Sequence, residues 1–319
     1  MKAVAIEQFG ELDQLKMREL PTPEPKSNEV QIKIAYAGVN PVDWKICTGM
    51  YAGRANYDFP IVLGADASGV VSKVGSGVSN LKVGDEVFAC TRSSRLKDGC
   101  YAEYVCFDAQ HVVKKPAHIS FAEASAIPIG SLTAWQALKE AAQLKPSESI
   151  LILAGAGGVG SMAIQIAHDL KATILTTARE KNHPYVKKLG AKYAIDYLKE
   201  DVVETVKKHF PKGVDVLLDC VGGTDVSKYM NAVRPGGRLV TIVAQPDVKK
   251  AEKHNIEVFY VSMRPDGEQL KAIGEKFENG TFKPIPIEEF PLANAKEALQ
   301  KVKEGHVHGK IVLKISSSP

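Results

Sequence analysis

Ile150-Leu151-Ile152-Leu153-Ala154-Gly155-Ala156-Gly157-Gly158-Val159-Gly160-Ser161-Met162-Ala163-Ile164-Gln165-Ile166-Ala167 is the stretch that decides the fold of this chain. Five apolar residues read as a strand buried on both faces, glycines follow at 155, 157 and 160, and apolar residues then recur in helical period. Strand, glycine turn and helix in that order open a dinucleotide-binding βαβ unit. Gly155 permits the tight turn, Gly157 lets the backbone approach a pyrophosphate, and Gly160 lets the helix lie close on the strand. Gly158 and Val159 open that helix, whose amides and positive dipole end meet the phosphate. A plain glycine loop would carry the same glycines without the strand before and the helix behind. The uncharged run 149–168 approaches the length of a membrane span, but its glycines cut it into two shorter pieces.

Outward from this turn, apolar runs at 150–154, 173–177, 193–196, 214–219, 238–243 and 258–261 predict six strands. Helices are expected in the intervals between the first five, and one more over 131–143. That alternation implies parallel βαβ units. The N-terminal third reads differently. Val30, Ile32, Ile34 and Tyr36 alternate with Gln31, Lys33 and Ala35 as in a half-buried strand, and short apolar runs follow at 68–74, 86–90 and 101–106. This predicts a compact, mostly antiparallel β domain. Helices near 268–278 and 293–304 and a strand at 310–315 form a final segment too short to stand alone.

The expected fold class is therefore α/β, a Rossmann doubly wound parallel sheet inserted into a mostly antiparallel β-rich domain. The nucleotide domain is placed at 123–262 and the substrate domain at 1–122 with 263–319, with the chemistry expected in the cleft between them. With 319 residues, two domains are expected. Hydrophobic residues at 45% and charged residues at 24% are ordinary for a globular chain. Forty-one basic against 37 acidic residues give a net charge of +4, too small and too dispersed for a nucleic-acid binder. The five cysteines are odd in number and form no CxxC pair, which disfavours a disulfide framework or a zinc knuckle and fits a reduced, cytoplasmic protein with no membrane segment.

Cofactor choice is made at the end of the second strand, which reads Thr176-Thr177-Ala178-Arg179-Glu180-Lys181. A carboxylate at the tip would accept from the ribose hydroxyls of NAD. None stands there, and Arg179 and Lys181, just beyond Thr177, suit the extra phosphate of NADPH, which is the cofactor expected. Glu180 leaves NAD open if the strand ends one or two residues later.

Over essentially its whole length the chain resembles the medium-chain dehydrogenase/reductase superfamily, in particular its zinc-free quinone oxidoreductase and enone reductase branch. The resemblance rests on Gly38-Val39-Asn40-Pro41-Val42-Asp43, Leu63-Gly64-Ala65-Asp66-Ala67-Ser68-Gly69-Val70-Val71, Gly84-Asp85-Glu86-Val87, Leu132-Thr133-Ala134, the glycine turn and His308-Gly309-Lys310-Ile311-Val312-Leu313. It implies that the β-rich domain is GroES-like. The zinc enzymes of the superfamily carry a Cys where this chain has Asn40 and a Gly-His-Glu where it has Gly64-Ala65-Asp66, so no metal is expected.

Without a Lewis acid, a quinone or an α,β-unsaturated carbonyl is the suitable hydride acceptor, because either spreads the incoming charge onto oxygen. The resemblance places Asn40 and Thr133 near nicotinamide and substrate, and Asp43, Trp44, Lys45 and Tyr51 around the entrance. Lys45 is a candidate for stabilising the oxyanion and Tyr51 for donating a proton, with surface and packing roles as the alternatives. Tyr197, Val243 and Ala244 are further cofactor contacts implied in the same way. Asp219 could be a polar strand-end residue or a cap, and Cys220 a reactive or an inert thiol. Other readings remain open: an enoyl-thioester reductase, or an NADPH-binding redox sensor or structural protein with little turnover. The partner expected besides the small-molecule substrate is a second copy, since the last strand of the sheet would be hazardous if left bare.

Overall fold

Ser149–Ile152, the strand in front of the glycine turn, is buried at every residue and pairs in parallel with Thr173–Thr177 on one side and Val214–Asp219 on the other. The computed structural model describes residues 1–221 and 226–316. It divides into a unit of residues 130–264 and a unit of residues 1–129 with 265–319.

In the first of these, six parallel strands run in the order Tyr193–Ile195, Thr173–Thr177, Ser149–Ile152, Val214–Asp219, Val233–Thr241, Glu257–Tyr260. Taken in sequence order this is 3-2-1-4-5-6, the doubly wound arrangement whose carboxyl ends bind ligands where the order reverses. Leu151, Leu175, Leu217 and Leu239 face one core with Val206 and Ile195. Helices Gly158–Asp169, His183–Lys188 and Val202–His209 fill the first three intervals as expected. In the fourth the described residues form a 3-10 turn, Val226–Ala232, instead of an α-helix; residues 222–225 lie outside the description. The helix expected over 131–143 begins earlier, as Pro128–Trp135, because proline is well tolerated in a first turn that needs no N–H. It then loosens into a π-helical turn, Gln136–Ala141. There the Gln136 side chain donates to Arg264 O at 2.9 Å and accepts from Arg264 N at 3.1 Å.

The other unit is built on the long strand Glu29–Val39, which pairs antiparallel with Asp66–Val74, with Tyr104–Asp108 and, from the far end of the sequence, with Lys310–Lys314. Ile287–Pro291 adds to Lys310–Lys314 in parallel. The half-buried alternation expected over Glu29–Tyr36 is only partly met. Gln31 is buried at 2% exposure, because it sits under partners on both sides: it donates to Pro23 O at 2.5 Å and its amide oxygen accepts from Ser72 Oγ at 2.6 Å. Gln31 is thus buried with a partner for both ends of its amide. Helix Phe121–Ser125, capped by Ser120 and Glu123 in a reciprocal box, packs on Glu29–Val39 and Asp66–Val74 and so belongs to this unit.

Candidate functional site

The glycine turn is built as its spacing demands, with one difference in physical cause. The left-handed backbone falls on Ala154 (φ 58°) and not on Gly155. Gly155 is needed for space: a Cβ there would lie 2.0 Å from Thr176 Oγ1. At Gly160 it would lie 2.2 Å from Ala154 O, which enforces the close helix–strand contact. At Gly157 the nearest atom, Ala154 O, is 3.4 Å away, so the fold itself does not exclude a side chain there. Gly157 is the N-cap of Gly158–Asp169, and Ser161 N–H is bonded to Gly157 O at 2.9 Å. The amides of Gly158, Val159 and Gly160 stand ahead of it in the first turn, where helix geometry supplies no carbonyl. This cradle fits a pyrophosphate.

Thr177 is buried and spends its hydroxyl on the turn, accepting from Ala154 N at 2.9 Å. Beyond it, Arg179 Nε donates to Tyr197 OH at 3.3 Å, which joins two of the expected cofactor residues at the neighbouring ends of Thr173–Thr177 and Tyr193–Ile195. Lys181 is exposed. Glu180 lies three residues past the strand end, in the 3-10 turn Glu180–Asn182, and its carboxylate is paired with Lys199. Val243 and Ala244 follow the strand Val233–Thr241, with Val243 N donating to Thr241 Oγ1 at 3.3 Å. Thr241 Oγ1 in turn donates to Asp219 Oδ2 at 3.0 Å, while Asp219 Oδ1 accepts from Val221 N at 3.0 Å, so Asp219 ties together the ends of two neighbouring strands. Cys220 beside it has its thiol raised by desolvation and by the Asp219 charge, which keeps it protonated and poorly reactive. Thr133, 6% exposed, lies in this same unit on helix Pro128–Trp135.

In the other unit, Asn40 ends the strand Glu29–Val39 and caps helix Pro41–Cys47. Asp43, in the first turn, reaches back to accept from Asn40 N at 2.8 Å, and the same oxygen accepts from Tyr101 OH at 2.8 Å. Asp43 is 1% exposed; desolvation lifts its carboxyl to about 7, against the lowering by those two bonds. The Asn40 side chain is 2% exposed and held at both ends. Its Nδ2 donates to Asp66 Oδ2 at 2.9 Å, and its Oδ1 accepts from the ammonium of Lys310. Lys310 Nζ also stands 3.3 Å from Asp66 Oδ2, and Asp66 Oδ1 accepts from Ile129 N at 2.8 Å. An ammonium can only donate and a carboxylate can only accept, so the orientation of the amide between them is forced. Burial raises Asp66 while Lys310 lowers it.

Lys310 reaches this place because of the residue before it. Gly309 has φ 73°, and a Cβ on it would lie 2.0 Å from Pro286 O. Asp66, Lys310 and Tyr101 were not singled out by sequence reasoning as site residues. The available signal was a lysine opening the apolar strand Ile311-Val312-Leu313 and an aspartate opening Ala67-Ser68-Gly69-Val70-Val71. Lys45 is half-buried, its ammonium 5.7 Å from the centre of the Trp44 ring, and burial lowers its pKa. Lys303 stands 5.8 Å from the same ring, and Trp44 packs on the core, so packing is its part. Tyr51 sits just beyond the helix, in the turn where Arg54 N donates to its carbonyl at 2.9 Å.

Comparison with known proteins places this geometry. Residues 26–117 match the alcohol dehydrogenase GroES-like domain and residues 189–313 the zinc-binding dehydrogenase domain. Over 306 residues the chain is 34% identical to the chloroplast envelope quinone oxidoreductase homolog of Arabidopsis thaliana, with 92% of each chain covered. The chain belongs to the medium-chain dehydrogenase/reductase family. Another relative, the chloroplastic NADPH-dependent alkenal/one oxidoreductase of the same plant, is 33% identical over 98% of this chain and 79% of that one. Among solved structures, the Escherichia coli quinone oxidoreductase complexed with NADPH aligns with a TM-score of 0.88 at 27% identity, covering 99% of this chain and 100% of that one.

The name of the second matched domain invites a test of zinc against the residues present in this dehydrogenase/reductase. In the two segments that the resemblance sets against the zinc enzymes' ligands, Ala65 offers no donor, and the oxygens present, Asn40 Oδ1 and Asp66 Oδ2, both already face the Lys310 ammonium. A divalent cation placed on them would meet a buried positive charge, so these residues do not fit zinc. Among the described residues there is no cluster of three or more His, Cys, Asp or Glu side chains suited to a metal, and no helix long and apolar enough to cross a membrane.

Proposed function

We propose that this chain is an NADPH-dependent oxidoreductase that reduces quinones or α,β-unsaturated carbonyls without a metal ion. The observation that carries the reading is the lysine ammonium seated on Asn40 and Asp66: the cation in this part of the site is part of the chain itself. When bound, the dinucleotide supplies a hydride. The amides of Gly158, Val159 and Gly160 hold its pyrophosphate, and Arg179 and Lys181, with Tyr197 beside Arg179, receive the 2′-phosphate. Val243 and Ala244 form the strand end beside the nicotinamide. Asn40 retains one further amide hydrogen after its bond to Asp66, and offers it to the substrate oxygen on which charge collects. The fixed charge of Lys310 next to that amide favours an enolate or quinol anion until solvent protonates it. Lys45, adding positive charge, and Tyr51, adding a hydroxyl, are the substrate-side candidates of the unit that holds Asn40, and Thr133 is the candidate of the nucleotide unit.

This chemistry needs an acceptor that is electrophilic on its own. The relatives bearing quinone and alkenal/one oxidoreductase names support that choice. The test is oxidation of NADPH and NADH against a panel of quinones and enones, with metal analysis of the same sample. Turnover with NADPH that survives chelation is expected. Stoichiometric zinc required for turnover would overturn the metal-free reading, and NADPH binding without any turnover would leave a redox sensor or structural protein.

We further propose a cytoplasmic homodimer. Glu257–Tyr260 is the last strand of its sheet, paired among the described residues only with Val233–Thr241, and a bare strand edge is a hazard that self-association removes.

A further inference from the structure

Glu180 is the acid that keeps NAD open in the sequence, and the structure gives it a partner. The ends of Thr173–Thr177 and Tyr193–Ile195 lie side by side, Thr177 opposite Ile195, so the segments that follow them face each other. Both segments are pinned through Asp196. Its Oδ2 accepts from Glu180 N at 3.2 Å, and its carbonyl accepts from Lys199 N at 2.9 Å. With both backbones held, the Lys199 ammonium lies on the Glu180 carboxylate, while Arg179 meets Tyr197 alongside. The segments after the two strands thus bring Arg179, Lys181 and Lys199 together with two carboxylates: Asp196, buried and bonded to backbone amides, and Glu180, exposed and engaged by Lys199.

We propose that Lys199 is a specificity-determining residue for the cofactor, acting by neutralising Glu180 so that the strand end accepts a 2′-phosphate instead of a bare ribose. It rests on the reading that the chain uses NADPH. An unpartnered Glu180 would accept from the 2′-hydroxyl of NADH and repel the phosphate of NADPH, so loss of Lys199 moves the two affinities in opposite directions. The side chains of Lys199 and Glu180 are 65% and 68% exposed, so their pairing adds little to stability and removing it spares the fold.

The experiment measures dissociation constants of NADPH and NADH for the wild type, Lys199→Ala, Glu180→Gln and the double variant at low ionic strength. Lys199→Ala is expected to weaken NADPH by roughly two- to fivefold and to tighten NADH by up to about twofold, the scale of one charge contact near a surface. In the Glu180→Gln background the same Lys199→Ala change is expected to move the NADPH-to-NADH ratio by less than about twofold, since the charge it balances is gone. Equal changes for both cofactors, or an undiminished effect in the Glu180→Gln background, would overturn the proposal while leaving NADPH use intact. A wild type that binds NADH more tightly than NADPH would overturn the cofactor reading itself.

Discussion

Replacing Lys310 with methionine tests whether its ammonium is the counter-charge of Asp66. The two side chains are 7% and 0% exposed, with Nζ 3.3 Å from Oδ2. At that separation and an effective dielectric of about 20, Coulomb attraction is about 5 kcal/mol, and breaking a buried pair from one side costs about 3–5 kcal/mol. Methionine keeps the volume of the stem, so packing contributes little to the loss. Asp66 would retain its bonds from Asn40 Nδ2 and Ile129 N but would stand as a buried charge without a cation. The double variant Lys310→Met with Asp66→Asn removes both charges and is expected to recover most of the loss, because neutral replacement of a buried pair is often close to neutral in stability. The assay is urea unfolding in a Trp135→Phe background, where Trp44 alone reports on its own unit. The deficit of the single variant should also shrink as pH falls. Asp66 is already raised by burial, loses its cation in the variant, and is relieved of its charge on protonation. A single variant within about 1 kcal/mol of the wild type, or a double variant no better than the single one, would refute the assignment.

Three further outcomes follow from the same geometry. Gly157→Ala should leave unfolding unchanged but weaken dinucleotide binding at least about tenfold, since within the fold its Cβ meets only Ala154 O at 3.4 Å while the second glycine of such a turn is where the backbone approaches the pyrophosphate; Gly160→Ala, with a backbone oxygen at 2.2 Å, should damage both. Calorimetry and fluorescence titration would separate the two. Arg179→Ala should weaken NADPH much more than NADH, and equal losses in a titration would remove Arg179 from phosphate recognition. Asp43, raised by burial to about 7, holds in the folded chain a proton that the unfolded chain releases near pH 4. Its contribution to stability is therefore full below about pH 4 and is lost as pH rises through 7, by at most about 1.4 kcal/mol per pH unit. Asp43→Asn should flatten that slope between pH 4 and 7, and parallel stability profiles for variant and wild type would contradict it.

The parallel sheet was legible because its central strands, Ser149–Ile152 and Val214–Asp219, are buried nearly throughout and read as apolar runs, and because the glycine turn follows the first of them directly. Even there the reason at Gly155 was misplaced, since a positive φ on Ala154 is invisible in a residue type that rarely adopts it. Strand Glu29–Val39 was legible as a strand but not as a doubly covered one. Gln31 looks solvent-facing in the sequence and becomes a core residue only through Pro23 and Ser72. In the candidate site, Asn40 was legible as a polar residue on a rigid turn at a strand end. Its partners were not, because Asp66 and Lys310 stand 26 and 270 residues away from it, and no local periodicity reports a contact of that range. The quinone and enone chemistry rested on the resemblance, and the pattern of charges around Glu180 needed the register of two strands to be seen.

The distance from Asn40 to Lys310 along the chain also bears on how the protein is made. During synthesis Asn40 and Asp66 leave the ribosome long before residue 310, and the whole of residues 130–264 is translated in between. Until the final strand arrives, the carboxylate at 66 lacks the ammonium that it faces in the finished fold. The nucleotide-binding unit, continuous in sequence, can mature while its host still waits for its closing strand.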